Sequence, residues 1–351
     1  MSRNVLVYTV GNDFHASVIG NALKLRGNHV FRWVGEEYPK SSTASISFHD
    51  KKSDVILKMS DFKLSSDDVD VVWFRRRMLP EAPAIVDRRD SEFSTSELRT
   101  ANYANFNFLE SYFWINTHSS ASLCDLKPVQ LNLATSAGLN IPSTLVSNDP
   151  VEIRDFIGSV KVCIYKPLGG GLWNEGGRLL NAYTAEVDVE SLPGDEILQS
   201  TPGIFQEKII KSFEVRVQFF GNFYGAIRIE SSSLRDGDLD WRIDQDSISF
   251  CAPLQLPQEV FESCRSLMKA LGIVSGAFDF IVDTSGRWFF MEVNEAGQFL
   301  FVEAWCQKLP LLDAFCQFVE MASEDFVYDP GLYKFSYIKA CELAAQAGIV
   351  S

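Results

Sequence analysis

The sequence is short of histidine, of basic charge and of long apolar runs, and each shortage excludes a class of protein. Only four histidines occur in 351 residues, His15, His29, His49 and His118. No Ser-His-Asp or Cys-His arrangement can be recognised around them, so covalent catalysis by an activated serine or cysteine has no visible machinery. Lys and Arg total 32 against 46 Asp and Glu, a formal net charge of −14 at pH 7, and that field repels nucleic-acid phosphates. No apolar stretch approaches the roughly 20 residues of a membrane-spanning helix, and the first apolar run, residues 5–10, is too short for a signal peptide. The expectation is a cytoplasmic protein with neither nucleic acid nor membrane as partner. The cysteines, Cys124, Cys163, Cys251, Cys264, Cys306, Cys316 and Cys341, are odd in number and scattered. They form no Cys-x-x-Cys pair, which argues against zinc or redox chemistry and reads as reduced core thiols. No repeat or low-complexity segment is visible.

What is present is an ordinary folded composition, 46% hydrophobic and 22% charged, long enough for two or three domains. Residues 5–10 read as a buried strand, 13–26 as a helix with Gly27 at its C-terminal cap, and 29–34 as a second strand. Residues 44–62 look like a hairpin, and 69–74 like another buried strand that ends at Arg75, Arg76 and Arg77. Residues 91–117 read as one long amphipathic helix with its aromatic residues facing inward. A helix closed by Gly138 follows, then an extended Ile141-Pro142 segment with a strand, and a helix near 150–158. The strand VCIYKPL leads into Gly169, Gly170 and Gly171, with Gly176 and Gly177 just behind. Gly221-Asn222 suits the turn of a hairpin over 213–230. A helix at 257–271 and a hairpin at 277–294 complete the pattern.

Three segments carry chemistry. If Ser285 and Gly286 are the two central turn residues of the last hairpin, Asp279 stands directly opposite Glu292, and Asn294 shares the face of Glu292 two residues along. Opposed carboxylates are tolerated when a cation lies between them, and oxygen donors without His or Cys indicate Mg²⁺ or Mn²⁺. The other face, Phe278, Phe280, Val282, Phe289, Met291 and Val293, is wholly apolar. Lys166, placed mid-strand among Val162, Ile164 and Tyr165, is costly to bury without an anionic partner, and the glycines behind it let backbone N–H groups approach phosphate. In FQEKIIKSFEVR, Glu207, Lys208 and Ile209 form an extended edge able to pair with a purine ring. Glu214 is then left for ribose hydroxyls, with Arg216 on the same face for a phosphate or acyl phosphate. Each segment alone also admits a plain reading: a solvated sheet face, a simple glycine turn, an edge strand of alternating charge.

Taken in order, strand-lysine-glycine loop, Glu-Lys-Ile with an acid seven residues on, and Asp279 … Glu292-x-Asn294 resemble the ATP-grasp superfamily over roughly residues 120–320. Within it the chain is similar to the microviridin-type peptide maturases, the graspetide ligases, through VVWFRRR at 71–77, LNIPSTLVSNDP at 139–150, FQEKIIKSFEVRV at 205–217, Asp240-Trp241-Arg242 and EVNEAGQFLFVE at 292–303. The resemblance implies an α/β (α+β) ATP-grasp fold. A pre-ATP-grasp α/β domain would span 1–120, a central subdomain 121–204 and a C-terminal subdomain with the metal site 205–330, leaving 331–351 unassigned. It assigns Lys127 and Lys166 to ATP phosphates, Glu207 to Ile209 to adenine, Glu214 to ribose and Asp279, Glu292 and Asn294 to magnesium. Asp240 and Arg242 match an Asp-x-Arg element near the reacting carboxylate. The usual Asn-Pro-Asn-Gly is here Asn294-Glu295-Ala296-Gly297, and Lys127 is followed by Pro128.

Arg75, Arg76 and Arg77 end a strand where open α/β sheets place their ligands. They are candidates for a peptide carboxylate, although alternation cannot turn all three inward. The acidic segment 185–196, with Asp188 and Glu190, is a candidate dock for a basic leader peptide or else a solvated linker. The implied reaction is ATP-dependent: Asp or Glu side chains of a ribosomal precursor, bound through leader and core, are activated as acyl phosphates and joined to Ser, Thr or Lys. Two alternatives stay open, an amino-acid or glutamate ligase that extends a peptide, and a nucleotide-binding scaffold without turnover. Aromatic residues at 13% leave material for an apolar homodimer interface.

Overall fold

The computed structural model describes residues 2–50, 52–109, 112–169, 172–176, 178–181, 184–230 and 251–346. Gly170, Gly171, Gly177, Asp240 and Arg242 lie outside the described residues. The chain opens with β1 (Asn4–Thr9), α1 (Phe14–Leu25) and β2 (His29–Val34), followed by β3 (Thr43–His49), β4 (Lys52–Lys58), β5 (Lys63–Ser65) and β6 (Val71–Phe74). Then come α2 (Ser91–Asn107), β7 (Phe113–Ile115), α3 (His118–Cys124), α4 (Lys127–Ser136), β8 (Thr144–Ser147), α5 (Pro150–Ser159) and β9 (Cys163–Lys166). β10 (Leu172–Glu175), β11 (Arg178–Asn181), β12 (Ala185–Val187), α6 (Asp195–Ser200) and β13 (Gly203–Glu207) lead to β14 (Lys211–Phe220) and β15 (Phe223–Ile229). The chain closes with β16 (Cys251–Pro253), α7 (Gln258–Leu271), β17 (Ser275–Asp283), β18 (Trp288–Asn294), α8 (Leu300–Trp305), α9 (Leu311–Met321) and α10 (Tyr337–Gln346).

The first sheet is parallel, in the order β2-β1-β6-β7. Its strands are apolar on both faces, as a sheet covered on both sides requires. One face packs on α1, α9 and α10 through Val5, Val7, Trp73, Phe315 and Phe318. The other packs under β3-β4-β5 and α2 through Leu6, Tyr8, Val72, Phe74 and Phe106. Asp13 starts α1 by accepting from the Ala16 N–H at 3.1 Å, and Gly27, at φ +93°, turns the chain out of it.

The single helix expected over 91–117 is two elements. α2 stops at Asn107, and Phe113-Trp114-Ile115 is the fourth strand, paired with Val71–Trp73. Three apolar residues in a row satisfy a buried strand better than a helix face. Nor do the aromatics of α2 all face inward: Phe93 is 70% exposed, while Asn102, Asn105 and Phe106 are buried.

Two antiparallel sheets follow, β12-β9-β13-β8 and β16-β15-β14-β17-β18, with the hairpin β10-β11 beside them. The larger sheet turns Val215, Val217, Phe219, Phe278, Phe280, Phe290 and Val293 toward α4 and α7. The other face of these strands carries the polar residues of the site. Of the cysteines, Cys124, Cys163, Cys264, Cys306 and Cys316 are buried and free, and Cys341 is half-buried and free.

Candidate active site

In the β17–β18 hairpin the expected pairs are present by a route that sequence did not indicate. Asp283 N–H donates to the Arg287 carbonyl, so the loop holds three residues, Thr284 to Gly286, with Gly286 at φ +82°. That extra residue shifts Val282, Ile281 and Phe280 onto Trp288, Phe289 and Phe290. A bulge at Met291 then restores the pairing of Asp279 with Glu292, and of Ala277 with Asn294. The expected apolar face is corrected accordingly: on β18 it is Trp288, Phe290 and Val293 that join the core, while Phe289 and Met291 do not.

β14 pairs Arg216 with Asp279, so Arg216, Asp279 and Glu292 form one row across three strands. Arg216 Nη1 lies 2.8 Å from Asp279 Oδ2, and its Nη2 donates to the Gln298 carbonyl at 3.3 Å. Lys127, at the start of α4, places Nζ 3.8 Å from Glu292 Oε2. Asn294 Nδ2 donates to Glu292 Oε1 at 3.3 Å. Four of the expected residues, with Lys127, therefore converge on one sheet face.

The others stand on neighbouring elements. Lys166 is the last residue of β9 and half-buried rather than mid-strand, and its Nζ donates to Gln206 Oε1 at 2.8 Å. Glu207 ends β13. Lys208 gives its backbone N–H to the Val162 carbonyl and its Nζ to Glu186 Oε1 at 2.6 Å, and Ile209 is half-buried. Glu214 sits on β14 one strand position before Arg216 on the same face, 2.7 Å from Lys211 Nζ. Gly169 precedes β10. Asp188 and Glu190 are exposed in the turn after β12, where Asp188 accepts from the Ser191 N–H at 2.7 Å.

Beside the row opens a cleft of about 460 Å³, lined by Arg75, Arg76, Arg77, Asp125, Arg216, Asn294 to Gln298 and Phe301. The three arginines divide their work. Arg75 is 1% exposed; its Nη1 donates to the Ala296 carbonyl, its Nε lies 3.4 Å from Asp13 Oδ2, and its Nη2 has no partner among the described residues. Burial, with Arg76 adding to it, pulls the Arg75 guanidinium down to about 10. Arg76 reaches solvent. Arg77 holds Asp125 Oδ2 at 2.5 Å and Glu295 Oε1 at 3.4 Å. Burial raises the Glu295 carboxyl against the opposing pull of Arg77. At Asp13 burial pushes upward, but Arg75 and the hydrogen bonds from Ala16 and Thr9 prevail and the carboxyl is lowered.

Several residues that shape this cleft carried no clear signal. Gln130 brackets Val293, donating to its carbonyl and accepting from its N–H, each at 2.9 Å. His15 Nε2 accepts from the Phe299 N–H at 3.3 Å. Asp13 had a signal as an N-cap residue after a strand; Gln130, one polar position on the inner face of α4, had a faint one.

A family model described as the MvdD pre-ATP grasp domain matches residues 4–122. The fold is similar to the Chryseobacterium gregarium RiPP-associated ATP-grasp ligase, solved with ADP and a leader and core peptide, at TM-score 0.83 and 26% identity over 92% of this chain and 98% of that one. The fold is that of the ATP-grasp ligases with a pre-ATP-grasp domain. Macrocyclase MdnC of Microcystis aeruginosa MRC, bound with precursor peptide MdnA, matches this ATP-grasp protein at TM-score 0.79 and 26% identity over 91% of the chain and 99% of MdnC. Macrocyclase MdnB of the same organism matches at 0.75 and 27% over 90% and 99%. No curated protein sequence matches the ATP-grasp chain. Among its described residues no helix is long and apolar enough to cross a membrane.

Proposed function

We propose that this ATP-grasp protein is an ADP-forming ligase that activates Asp or Glu side chains of a ribosomal precursor peptide and joins them to Ser or Thr hydroxyls or Lys amines, closing ester or amide rings. The reading is carried by the Arg216–Asp279–Glu292 row, with Asn294 beside it, opening onto an arginine-lined cleft. RiPP-associated ligases and macrocyclases that match the chain nearly end to end support it.

The oxygen donors of Asp279, Glu292 and Asn294 fit a hard divalent cation, Mg²⁺ or equally Mn²⁺, and face-to-face carboxylates in a sheet favour one. Asp279, Glu292 and Asn294 are the residues that would hold such an ion; among the described residues no cluster of three or more His, Cys, Asp or Glu gathers. Bound there, such an ion would supply charge neutralisation to the phosphates of ATP. Lys127 and Lys166 supply compact positive charges to the phosphates, and Gly169, Gly170 and Gly171 enter the scheme on their glycine-rich sequence. Glu207, Lys208 and Ile209 border the adenine, and Glu214 the ribose.

In the first step a carboxylate oxygen of the peptide attacks the γ-phosphorus and the bond to ADP breaks, leaving an acyl phosphate. In the second, a hydroxyl or amine attacks the acyl carbon, the bond to phosphate breaks, and the nucleophile's proton is lost to solvent. Arg216 stabilises the charge that develops on the transferring group. Arg76 and Arg77 hold the peptide carboxylate at the mouth, while Arg75, fully buried, acts on it through the wall of the cleft. Asp240 and Arg242 enter this scheme on their Asp-x-Arg pattern. Asp188 and Glu190 offer acidic contacts to a basic leader segment. A ribosomal peptide and ATP as substrates support a cytoplasmic location.

The test is the intact mass of a candidate precursor peptide after incubation with enzyme, ATP and Mg²⁺. Loss of one water per ADP released is the expected result. A gain of one residue mass would replace cross-linking by chain extension, and nucleotide binding without ADP formation would leave a scaffold.

A further inference from the structure

The ladder between β17 and β18 stops where Asn294 pairs with Ala277, although β17 itself reaches back to Ser275. Continued in register, the chain would bring Ala296 opposite Ser275. It turns instead, with the Gly297 N–H donating to the Asn294 carbonyl at 3.1 Å. One side chain fills the strand edge that this turn leaves open. Asn116 is 2% exposed. Its Oδ1 accepts from the N–H groups of Val274 at 2.8 Å and Ser275 at 3.2 Å. Its Nδ2 donates to the carbonyls of Ser275 at 2.9 Å and Glu295 at 3.1 Å. A primary amide offers two donor hydrogens and two acceptor lone pairs, so the group is fully engaged.

Resting on the functional reading above, we propose that Asn116 is a positioning residue for the metal site: its amide replaces the missing strand partner of Ser275, ends the ladder at Asn294 and pins the Glu295 carbonyl. Residues 295–298 are thereby turned into the cleft. Of the neighbouring anchors, Gln130, Arg75 and His15 each hold one residue of the segment, Val293, Ala296 and Phe299, and Arg216 ties the Gln298 carbonyl to Asp279 farther along the cleft. Asn116 bonds the start of β17, the strand that carries Asp279, and the residue after Asn294, and so fixes the spacing between those two proposed ligands. It comes from the end of β7, in the first sheet, so the metal geometry is set from outside the strands that supply the donors.

The test is Mn²⁺ binding in the presence of ADP, followed by electron paramagnetic resonance on the full-length protein, with thermal unfolding and metal-free ADP binding measured alongside. Asn116→Asp keeps both acceptor bonds and loses both donations; Asn116→Ser is too short to reach Glu295 and provides a second variant should the first not fold. The expected result is a loss of about tenfold or more in Mn²⁺ affinity, with metal-free ADP affinity held within about twofold. A role in folding alone would lower the unfolding midpoint without that split. Wild-type Mn²⁺ affinity in either folded variant overturns the proposal. Failure of the wild type to bind Mn²⁺ any better than Glu292→Gln would overturn the metal assignment beneath it.

Discussion

Asp279 and Glu292 face one another across two strands, a placement that costs stability unless cations offset it. Arg216 and Lys127 supply part of that charge at 2.8 and 3.8 Å. Removing one carboxylate therefore relieves repulsion while it removes a ligand. Glu292→Gln is expected to keep or raise the thermal midpoint and to lower ADP release by about 100-fold or more; near-normal ADP release in a coupled assay would sink the assignment. His15 gives a pH-dependent signature. Burial, and then Arg75, hold its imidazole at about 3 instead of 6.5. The unfolded chain thus binds a proton near 6.5 that the folded chain refuses until about 3, so stability is full above 6.5 and falls as pH drops toward 3. His15→Gln, which cannot titrate and still offers an oxygen to Phe299, is expected to flatten that stretch of the urea midpoint against pH. An unchanged slope would mean that other groups produce it. The residues legible in sequence were those whose chemistry shows in their own strand: Arg216, Asp279, Glu292 and Asn294 share a face by simple alternation. Asn116 was not legible, because its partners are about 160 and 180 positions away.

Elements were readable where period and caps agreed, as in α1, α4, α7 and the Gly221-Asn222 hairpin. The β17–β18 register was reached by two omissions that cancel. A two-residue turn was expected where three residues stand, and the extra residue at Met291 restores the count. Gly286 in the third loop position is compatible with a three-residue turn, but the bulge has no signal in an apolar run of four residues. The break of the expected 91–117 helix was hidden for a related reason: aromatic residues suit the inner face of a helix and a buried strand alike. Glycine supplies two element-scale predictions. At Gly221, φ +55°, a Cβ would meet the Glu324 carbonyl at 2.8 Å and the Phe326 N at 2.9 Å. Gly221→Ala is therefore expected to cost more than about 1 kcal/mol in urea unfolding, and a neutral result would show that the 324–326 segment yields. At Gly297 a Cβ would overlap that of Ala277 and press on Arg216 Nη2 at 3.0 Å. Gly297→Ala is expected to lower turnover by about tenfold and to lower the unfolding midpoint, since Ala277 is buried in β17 and its Cβ cannot swing aside. Loss of stability without loss of turnover would show that the cleft loop is not held in one position.

Across the whole molecule, residues 331–346, which sequence left unassigned, belong to the first sheet's cover. α10 packs with α1 and α9, a contact that no local period announces. The same junction holds a buried ion pair. Arg26, at the end of α1, lies 2.7 Å from Asp313 and 2.8 Å from Glu320, and Asp313 also accepts from Gln317 and from the Lys334 N–H. Asp313→Ala leaves a buried guanidinium short of charge and is expected to cost about 3–5 kcal/mol in chemical denaturation; a cost under about 1 kcal/mol would show that Glu320 alone suffices. Joining elements so far apart in the chain has a consequence for synthesis. α1 leaves the ribosome with an apolar stripe whose covering helices lie almost 300 residues downstream. At roughly 5–20 residues per second, that stripe waits some tens of seconds for its partner, so the α1 unit of the nascent chain is exposed to chaperones until α9 and α10 have been made.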